Sequence, residues 1–402
     1  MSELEEPTRW AWVDVDLDAI RHNVEHLRLV VAPSELWAVV KADGYGHGAT
    51  EIARAALDSG AQGLCVALVQ EGVELRDAGI DAPILVLSEQ PLDVIDDIVR
   101  YRLMATVYTE AFIDALVSAA LARGVQGVPV HLKIDTGMQR VGAQVADVTD
   151  VAAVLQTHRP TLLLVGVFTH LANADVPDDD FTAVQLARLD AALADVFPSG
   201  SESSSVLVHA ANSAGALAHP SARRSFVRTG IAIYGISPGH GVDSLCDGLR
   251  PALSLKARVA HVKRVEAGTS VSYGQRYTFE RGTTVATVPI GYADGVPRRL
   301  FEVGGEVLIG GRRCPIVGAV TMDQLMVDCG ERIDGAEAVA VGDEVVLLGE
   351  QSGADGPQRI RAEDWADALG TIGYEIVCGI GPRVPRRRSR SIHSEMLGRQ
   401  DA

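Results

Sequence analysis

Short apolar runs rich in β-branched residues recur through the first 235 positions: Leu36–Val40, Gly63–Leu68, Ile84–Leu87, Leu103–Tyr108, Val128–Ile134, Leu162–Thr169, Val206–His209 and Gly230–Tyr234. Between most of them apolar residues return at helical spacing, as in Gly48–Leu57, Glu110–Leu121, Val145–Leu155 and Thr182–Leu193. Eight strand-like runs alternating with helices predict an α/β fold, a (β/α)8 barrel. Around Val242–Pro251 the pattern changes. Short alternating runs follow: Leu253–Val265, Thr284–Pro289, Val307–Ile309, Leu325–Cys329 and Glu344–Leu348. Glycine-rich turns separate them, at Gly304-Gly305, Gly310-Gly311 and Gly353. This predicts a mostly β C-terminal domain, interrupted by one helical segment, Ala362–Gly370. Arg9–Val15 also reads as a strand; it precedes the first helix, Ile20–Leu29, and is a candidate to join the β domain. The expected division is a barrel over 12–245, a mostly β domain over 246–392 that the N-terminal residues 1–11 join, and a tail over 393–402.

Length agrees with two domains, since 402 residues exceed the roughly 250 of a barrel. The chain has 36 basic and 53 acidic residues, a net charge of −17, so attraction to a phosphate backbone does not help it and nucleic acid is excluded as the expected partner. Its one basic run, Arg386, Arg387, Arg388 and Arg390, reads as a solvated tail. No apolar run reaches membrane-spanning length, and Met1 to Trp10 is polar with no apolar signal core. The five cysteines are scattered without a C-x-x-C pair, which suggests neither a disulfide framework nor a metal site. A soluble protein of the reducing cytoplasm is expected.

Barrel enzymes carry their reactive groups at the C-terminal ends of the strands. The first run ends in Lys41-Ala42-Asp43-Gly44-Tyr45-Gly46-His47-Gly48. A lysine there either reaches solvent at the rim or is used, and the glycines allow a tight turn close to a ligand rather than a nucleotide fingerprint. In the fifth run His131, Lys133 and Asp135 alternate with Leu132 and Ile134, so the polar three face one side and need partners; a Lys133–Asp135 ion pair is the structural alternative to a functional role. Thr169-His170 ends the sixth run and His209-Ala210-Ala211-Asn212-Ser213 ends the seventh, the latter like a helix start with a polar cap. Arg228-Thr229-Gly230-Ile231 flanks the eighth. Barrels most often bind phosphate after strands seven and eight, where Asn212-Ser213 and Gly230-Ile231 fall. A phosphorylated ligand facing a lysine is the pattern pyridoxal 5'-phosphate (PLP) requires.

At this point the residues resemble a known family. Ala38-Val39-Val40-Lys41-Ala42-Asp43-Gly44-Tyr45-Gly46-His47-Gly48 looks like the PLP-lysine signature of alanine racemases. The likeness continues through Leu132–Met138, Gly166–His170, His209–Ser213, Arg228–Gly235, Val271-Ser272-Tyr273-Gly274, Pro289–Gly295, Met322-Asp323-Gln324 and Arg383–Arg386. The resemblance implies a PLP-dependent isomerase that interconverts L- and D-alanine and supplies D-alanine for peptidoglycan. Lys41 would hold the cofactor covalently and, once displaced by the substrate amine, act as one base; Tyr273 would be the other. Tyr45, Ser213, Gly230, Ile231 and Tyr374 would hold the phosphate, with Asn212 supporting that loop. Arg228 would face the pyridine nitrogen, and His170 would bond both Arg228 and Tyr273. Arg140 would meet the cofactor's phenolic oxygen and the substrate carboxylate, with the Met322 N–H on the same carboxylate. Lys133 matches a lysine the family carries N-carboxylated, and Asp175, Tyr292 and Arg298 would line the access path for substrate.

Racemisation takes the α-proton from one face and returns one to the other, so two bases are simpler than one that swings. A free phenol has a pKa of about 10, so Tyr273 needs neighbours that stabilise its anion. Arginine stays protonated and cannot hand a proton to the ring nitrogen. We read Arg228 as keeping the cofactor a weak electron sink, which limits transamination. The family assembles each site from two chains, so a homodimer with shared sites is implied. The chain departs from the family's usual pattern at Ala319, Thr321 and Gly373, where arginine, cysteine and asparagine are common. Rival readings are a decarboxylase or a broader amino-acid racemase on the same barrel, and a non-enzymatic PLP carrier. The decarboxylase needs neither Tyr273 in its Ser-Tyr-Gly setting nor Met322-Asp323, the broader racemases usually carry an export signal, and the carrier lacks the β domain.

Overall fold

The protein is described by a computed structural model over residues 9–197, 206–331, 339–354 and 356–389. The tail expected over 393–402 and Arg390 lie outside the described residues. The chain divides into two compact units, one of Ile20–Arg250 and one that joins the residues up to Ala19 to those from Pro251 onward. Residues 12–19 therefore go with the β-rich unit. The reason is β1 (Ala11–Asp16), which lies antiparallel to the strand at Leu253–Arg258 with Val13 opposite Leu255.

The first unit is a ring of parallel strands. β2 (Glu35–Val39), β3 (Gly63–Val66) and β4 (Ile84–Val86) pair in sequence. β5 (Ala105–Val107), β6 (Val128–Asp135), β7 (Leu162–Phe168) and β8 (Leu207–His209) form a second parallel run. A parallel bridge from Leu85 to Met104 joins the two runs. At the other seam β9 (Phe226–Thr229) pairs with β2, while Ser225 N–H donates to Val208 O at 2.9 Å and Arg228 N–H to Ala211 O at 3.0 Å. Strands buried on both faces need near-continuous apolar runs, and every residue of β3, β4 and β5 is buried. Helices return the chain between strands, among them Ala49–Asp58, Glu110–Ala122, Val148–Thr157 and Phe181–Val196.

The eighth strand is displaced from its expected position. Gly230–Tyr234 is not a strand: Phe226–Thr229 is, and Ile231–Tyr234 forms a 3-10 turn. The Ser213 hydroxyl accepts the N–H groups of Gly230 at 3.0 Å and Ala232 at 3.4 Å, which takes the backbone out of the sheet there. Ile231, Ala232, Ile233 and Tyr234 are all fully buried, and an apolar run fits a buried turn as well as a buried strand.

The second unit is mostly β. β10 (Leu253–Arg258) and β11 (His261–Val265) replace the single run expected over Leu253–Val265. The chain changes sheets between them, where Val259 N–H bonds Asp343 O at 2.9 Å and Ala260 N–H bonds Thr287 O at 2.8 Å. β12 (Thr283–Val288), β13 (Glu306–Ile309), β14 (Arg312–Pro315), β15 (Leu325–Gly330), β16 (Glu344–Gly353), β17 (Gly356–Ile360) and β18 (Arg386–Ser389) follow. One sheet runs β14–β13–β16–β10–β1–β18 with β17 on β16, and another runs β11–β12–β15. The helix Ala362–Leu369 interrupts the strands, and a shorter one follows at Gly373–Cys378.

The basic run is not a solvated tail over its described part. Arg386, Arg387 and Arg388 lie in β18, parallel to β1. Arg386 donates to three carbonyls, those of Ile380, Gly381 and Val384. Arg387 bonds Asp14 at 3.0 Å and lies over the Trp12 ring. These local acceptors offset the cost of drawing guanidinium groups out of water.

Candidate active site

Lys41 follows β2 after the single residue Val40. The chain then makes one left-handed helical turn, with φ of 53°, 51°, 60° and 53° at Ala42, Asp43, Gly44 and Tyr45. Three of these residues carry side chains that disfavour that conformation, so the surroundings must hold it. Glu71 does so from the first turn of the helix Val69–Asp77: its carboxylate accepts Ala42 N–H at 2.6 Å and Ala67 N–H at 2.7 Å. Asp43 accepts Ala49 N–H at 2.8 Å and so starts the following helix. Sequence reasoning did not single out Glu71. Its local sign, a glutamate three residues into a helix start, gives no hint of the second loop it ties down.

The turn buries Tyr45 against Tyr234 and carries its hydroxyl to Gly230. A Cβ at Gly230 would lie 2.4 Å from the Tyr45 oxygen, so only glycine fits there. Ser213 bonds the same loop. Asn212 caps the short helix behind it by accepting Gly215 N–H at 3.0 Å. Tyr45, Asn212, Ser213, Gly230 and Ile231 are thus brought together as a cradle of hydroxyls and backbone N–H groups, the donor set a phosphate needs. Tyr374 lies in the other unit, in the helix Gly373–Cys378.

The barrel interior beneath is layered. Trp37, Phe226, His209 and Phe168 stack in sequence with ring centroids 4.5, 4.0 and 4.5 Å apart. Strand register sets Lys133 beside Phe168 and Phe168 beside His209. Arg228, 2% exposed, lies at the top. Its Nη1 donates to His209 Nδ1 at 2.6 Å. Its Nη2 donates to Thr169 O at 2.9 Å and Ala210 O at 3.1 Å, and lies 3.4 Å from His170 Nδ1. Burial pulls its pKa down to about 10, which leaves it charged at neutral pH. Burial and then Arg228 hold His170 and His209 well below the ordinary histidine range, so both rings are neutral.

Lys133, Asp135, Arg140, Thr169 and His170 line one small cavity. The Lys133–Asp135 ion pair does not form as a hydrogen-bonded contact. Asp135 instead accepts the N–H groups of Gly137 at 2.9 Å, Gln139 at 3.0 Å and Arg140 at 3.1 Å, which folds the loop that carries Arg140. Lys133 donates to Leu87 O at 3.0 Å. Burial lowers its amine to about 7, reinforced by Arg228, Arg140 and Lys41. Asp175 belongs to this unit, packed against Gly239 and Gly241.

The remaining candidates lie on the β-rich unit and are exposed. Tyr273 is 74% exposed, on a turn with positive φ at Ser272, Gly274 and Gln275. Ser272 Oγ anchors that turn by donating to Ala319 O at 2.8 Å. Val271, Phe279, Val285 and Val317 form an apolar cluster beside it. Met322 and Tyr292 are 51% and 42% exposed, on two loops tied by Tyr292 N–H to Thr321 O at 3.0 Å and Ala293 N–H to Met322 O at 3.0 Å. Arg298 is exposed on the next turn.

Comparison with known proteins supplies the family. The alanine racemase N-terminal domain family matches residues 15–238 and its C-terminal domain family matches residues 252–388. An alanine racemase of Symbiobacterium thermophilum is 46% identical over 378 residues, covering 94% of this chain and 97% of that protein. The crystal structure of alanine racemase from D-cycloserine-producing Streptomyces lavendulae is 39% identical with a TM-score of 0.85, covering 97% of this chain and 99% of that one. The Bartonella henselae alanine racemase, solved with covalently bound pyridoxal phosphate, is 28% identical with a TM-score of 0.82, covering 94% of this chain and 99% of that one.

Proposed function

This chain belongs to the alanine racemase family, PLP-dependent isomerases that interconvert L- and D-alanine, and from that premise we propose how its own residues share the work. The observation that carries the assignment is the cradle of Tyr45, Ser213 and Gly230, whose tyrosine is delivered by the left-handed turn that starts at Lys41. When bound, PLP supplies an electron-withdrawing ring that acidifies the substrate's α-proton.

Lys41 would hold the cofactor and serve one face of the substrate as base. Tyr273 serves the other face. Tyr45, Asn212, Ser213, Gly230, Ile231 and Tyr374 would hold the phosphate. Arg228 would meet the cofactor's ring nitrogen with donors only, and so would give it no proton. His170 accepts from Arg228 through Nδ1, and being neutral it carries its proton on Nε2. That proton stabilises a Tyr273 phenolate, which makes the phenol a usable base. Arg140 and the Met322 N–H orient the substrate carboxylate. Asp175, Tyr292 and Arg298 line the access path.

Lys133 works as the N-carboxylated residue. Four cations in one mouth oppose each other, and the depressed amine pKa of about 7 supports conversion of this one into an anion that fixes Arg140. Two chains form the working unit. The support is the exposure of Tyr273 at 74% and Met322 at 51%, large side chains held on strained or anchored turns that a partner barrel would cover. The D-alanine made in this way supplies peptidoglycan precursors in the cytoplasm.

The test is incubation of the PLP-loaded protein with L-alanine in deuterated water, following α-proton exchange by NMR and D-alanine by chiral chromatography. Exchange with D-alanine formation, abolished in Lys41→Ala and in Tyr273→Phe, is expected. Racemisation that survives in Tyr273→Phe at the wild-type rate would refute the two-base assignment.

A further inference from the structure

Arg228 is the head of a longer chain of hydrogen bonds than the reaction alone accounts for. Its Nη1 donates to His209 Nδ1 at 2.6 Å, and His209 Nε2 lies 3.0 Å from His131 Nδ1. All three groups are inside the barrel, with His209 and His131 fully buried. The far nitrogen, His131 Nε2, meets no hydrogen-bond partner among the described residues.

The polarity of this chain follows from one fact. A guanidinium only donates, so His209 Nδ1 must accept. The His209 ring is neutral, because burial and Arg228 both oppose its protonation. Its single proton is therefore on Nε2, and His131 Nδ1 must accept it. His131 is neutral for the same reasons, burial first and Arg228 second, with its pKa lowered to about 3. Its own proton is then on Nε2. The reverse arrangement would put two lone pairs or two protons face to face at one of the two junctions.

The packing fixes the rings in the planes this requires. Phe168 and Phe226 clamp His209 from both sides, at interplanar angles of 9° and 23°. His131 meets it edge-on at 71°. Gly166 lies opposite His131 in the strand register, and a Cβ there would fall 2.1 Å from His131 Nδ1. The barrel thus keeps an open place for this ring beside an aromatic layer in which, among the described residues, His209 Nε2 meets no other acceptor.

We propose that His131 is a positioning residue for the racemase reaction: by accepting the His209 Nε2 proton it locks His209 as an acceptor for Arg228, and so holds the guanidinium in its donor-only pose at the cofactor's ring nitrogen. The proposal rests on the reading that Arg228 faces that nitrogen. Without an acceptor, His209 would carry an unpaired N–H in an apolar layer. Moving the proton to Nδ1 relieves that cost but leaves a donor facing a donor. Arg228 then loses its shortest bond and its fixed orientation.

The experiment uses the PLP-loaded protein with 15N-labelled histidine and, separately, PLP labelled with 15N in its ring. In the wild type, long-range 1H–15N spectra are expected to show His209 and His131 neutral and protonated on Nε2. A His209 protonated on Nδ1, or an imidazolium at either position, would overturn the proposal whatever the variants do. His131→Phe keeps a ring but removes the acceptor. In that variant the Nε2 proton of His209 is expected to shift to Nδ1 or exchange between sites. Its kcat should fall roughly tenfold with little change in KM, the equivalent of one charge-assisted hydrogen bond, and more turnovers should end in transamination. His131→Asn, whose amide oxygen replaces Nδ1 as acceptor, is expected to restore kcat to within about threefold and the wild-type partition. A His131→Phe protein with wild-type His209 spectra and wild-type partition would overturn the role of His131 alone. A protonated ring nitrogen in the wild-type cofactor would instead overturn the reading of Arg228, a failure the ring label reports independently of the histidine spectra.

Discussion

Lys133 gives the sharpest quantitative expectation. An ordinary lysine at pH 7 is neutral in about 3 molecules per 10,000. With its pKa lowered from 10.5 to about 7, Lys133 is neutral in roughly half, a gain of about a thousandfold in the form that reacts with CO2. The neutral amine adds CO2 and releases one proton, leaving a carbamate anion among Arg228, Arg140 and Lys41. The same difference of 3.5 between 10.5 and 7 corresponds to about 5 kcal/mol against the ammonium form. The sign is definite: between pH 7 and 10.5 the folded amine binds fewer protons than the unfolded one. Unmodified protein therefore gains stability as pH rises through that window and carries the whole cost below it. Supplying bicarbonate at pH 7.5 to 8, about the onset of that window, is expected to raise Tm and activity over degassed protein. It should also give a 13C carbamate signal from labelled bicarbonate that is missing in Lys133→Met. A 13C spectrum identical in Lys133→Met, or a degassed protein as stable and active as the supplied one, would refute the reasoning.

Two further outcomes follow from contacts within single units. Asp294, with no exposed side-chain surface, accepts Arg9 through both oxygens at 2.7 and 2.6 Å. Burial pushes its carboxyl up, but Arg9, the Gly291 N–H and Arg383 outweigh that and hold it below the usual carboxylate range. Its contribution is present at neutral pH and lost as pH falls through the lowered value; Asp294→Ala should cost about 3 kcal/mol in urea unfolding at pH 7, with the difference from wild type shrinking toward pH 3. Gly230→Ala drives a methyl into the Tyr45 hydroxyl, so the variant should lose PLP during dialysis at least tenfold faster than wild type, followed by the cofactor's visible absorbance.

Much of the barrel was legible because a buried parallel strand must be apolar throughout and a returning helix must be amphipathic, so the two periods alternate visibly. The Gly230–Tyr234 run was misread for the same reason: it is as apolar as a strand, and only Ser213, 17 residues earlier, tells the backbone to turn. Arg386 and Arg387 were misread because charge argues for solvent unless acceptors are known, and theirs lie on the preceding loop and on β1. The candidate residues at strand ends could be named from position, since that end of the barrel is where chemistry occurs. What they bond could not. His131 stood out as one of a polar file, yet nothing in its neighbours Val130 and Leu132 points to His209, 78 residues on. Glu71 showed only its helix-start sign, and nothing in that sign points to the strained turn it supports from a different element.

That turn has one more consequence. Ala42, with φ 53° and ψ 50°, holds the backbone conformation that is natural to the mirror-image form of its own residue. An L-alanine there is disfavoured by roughly 1–2 kcal/mol, and a D-alanine would occupy the position at ease. In a chain whose family exchanges the two hands of alanine, the residue next to Lys41 is an L-alanine made to adopt the geometry of its product.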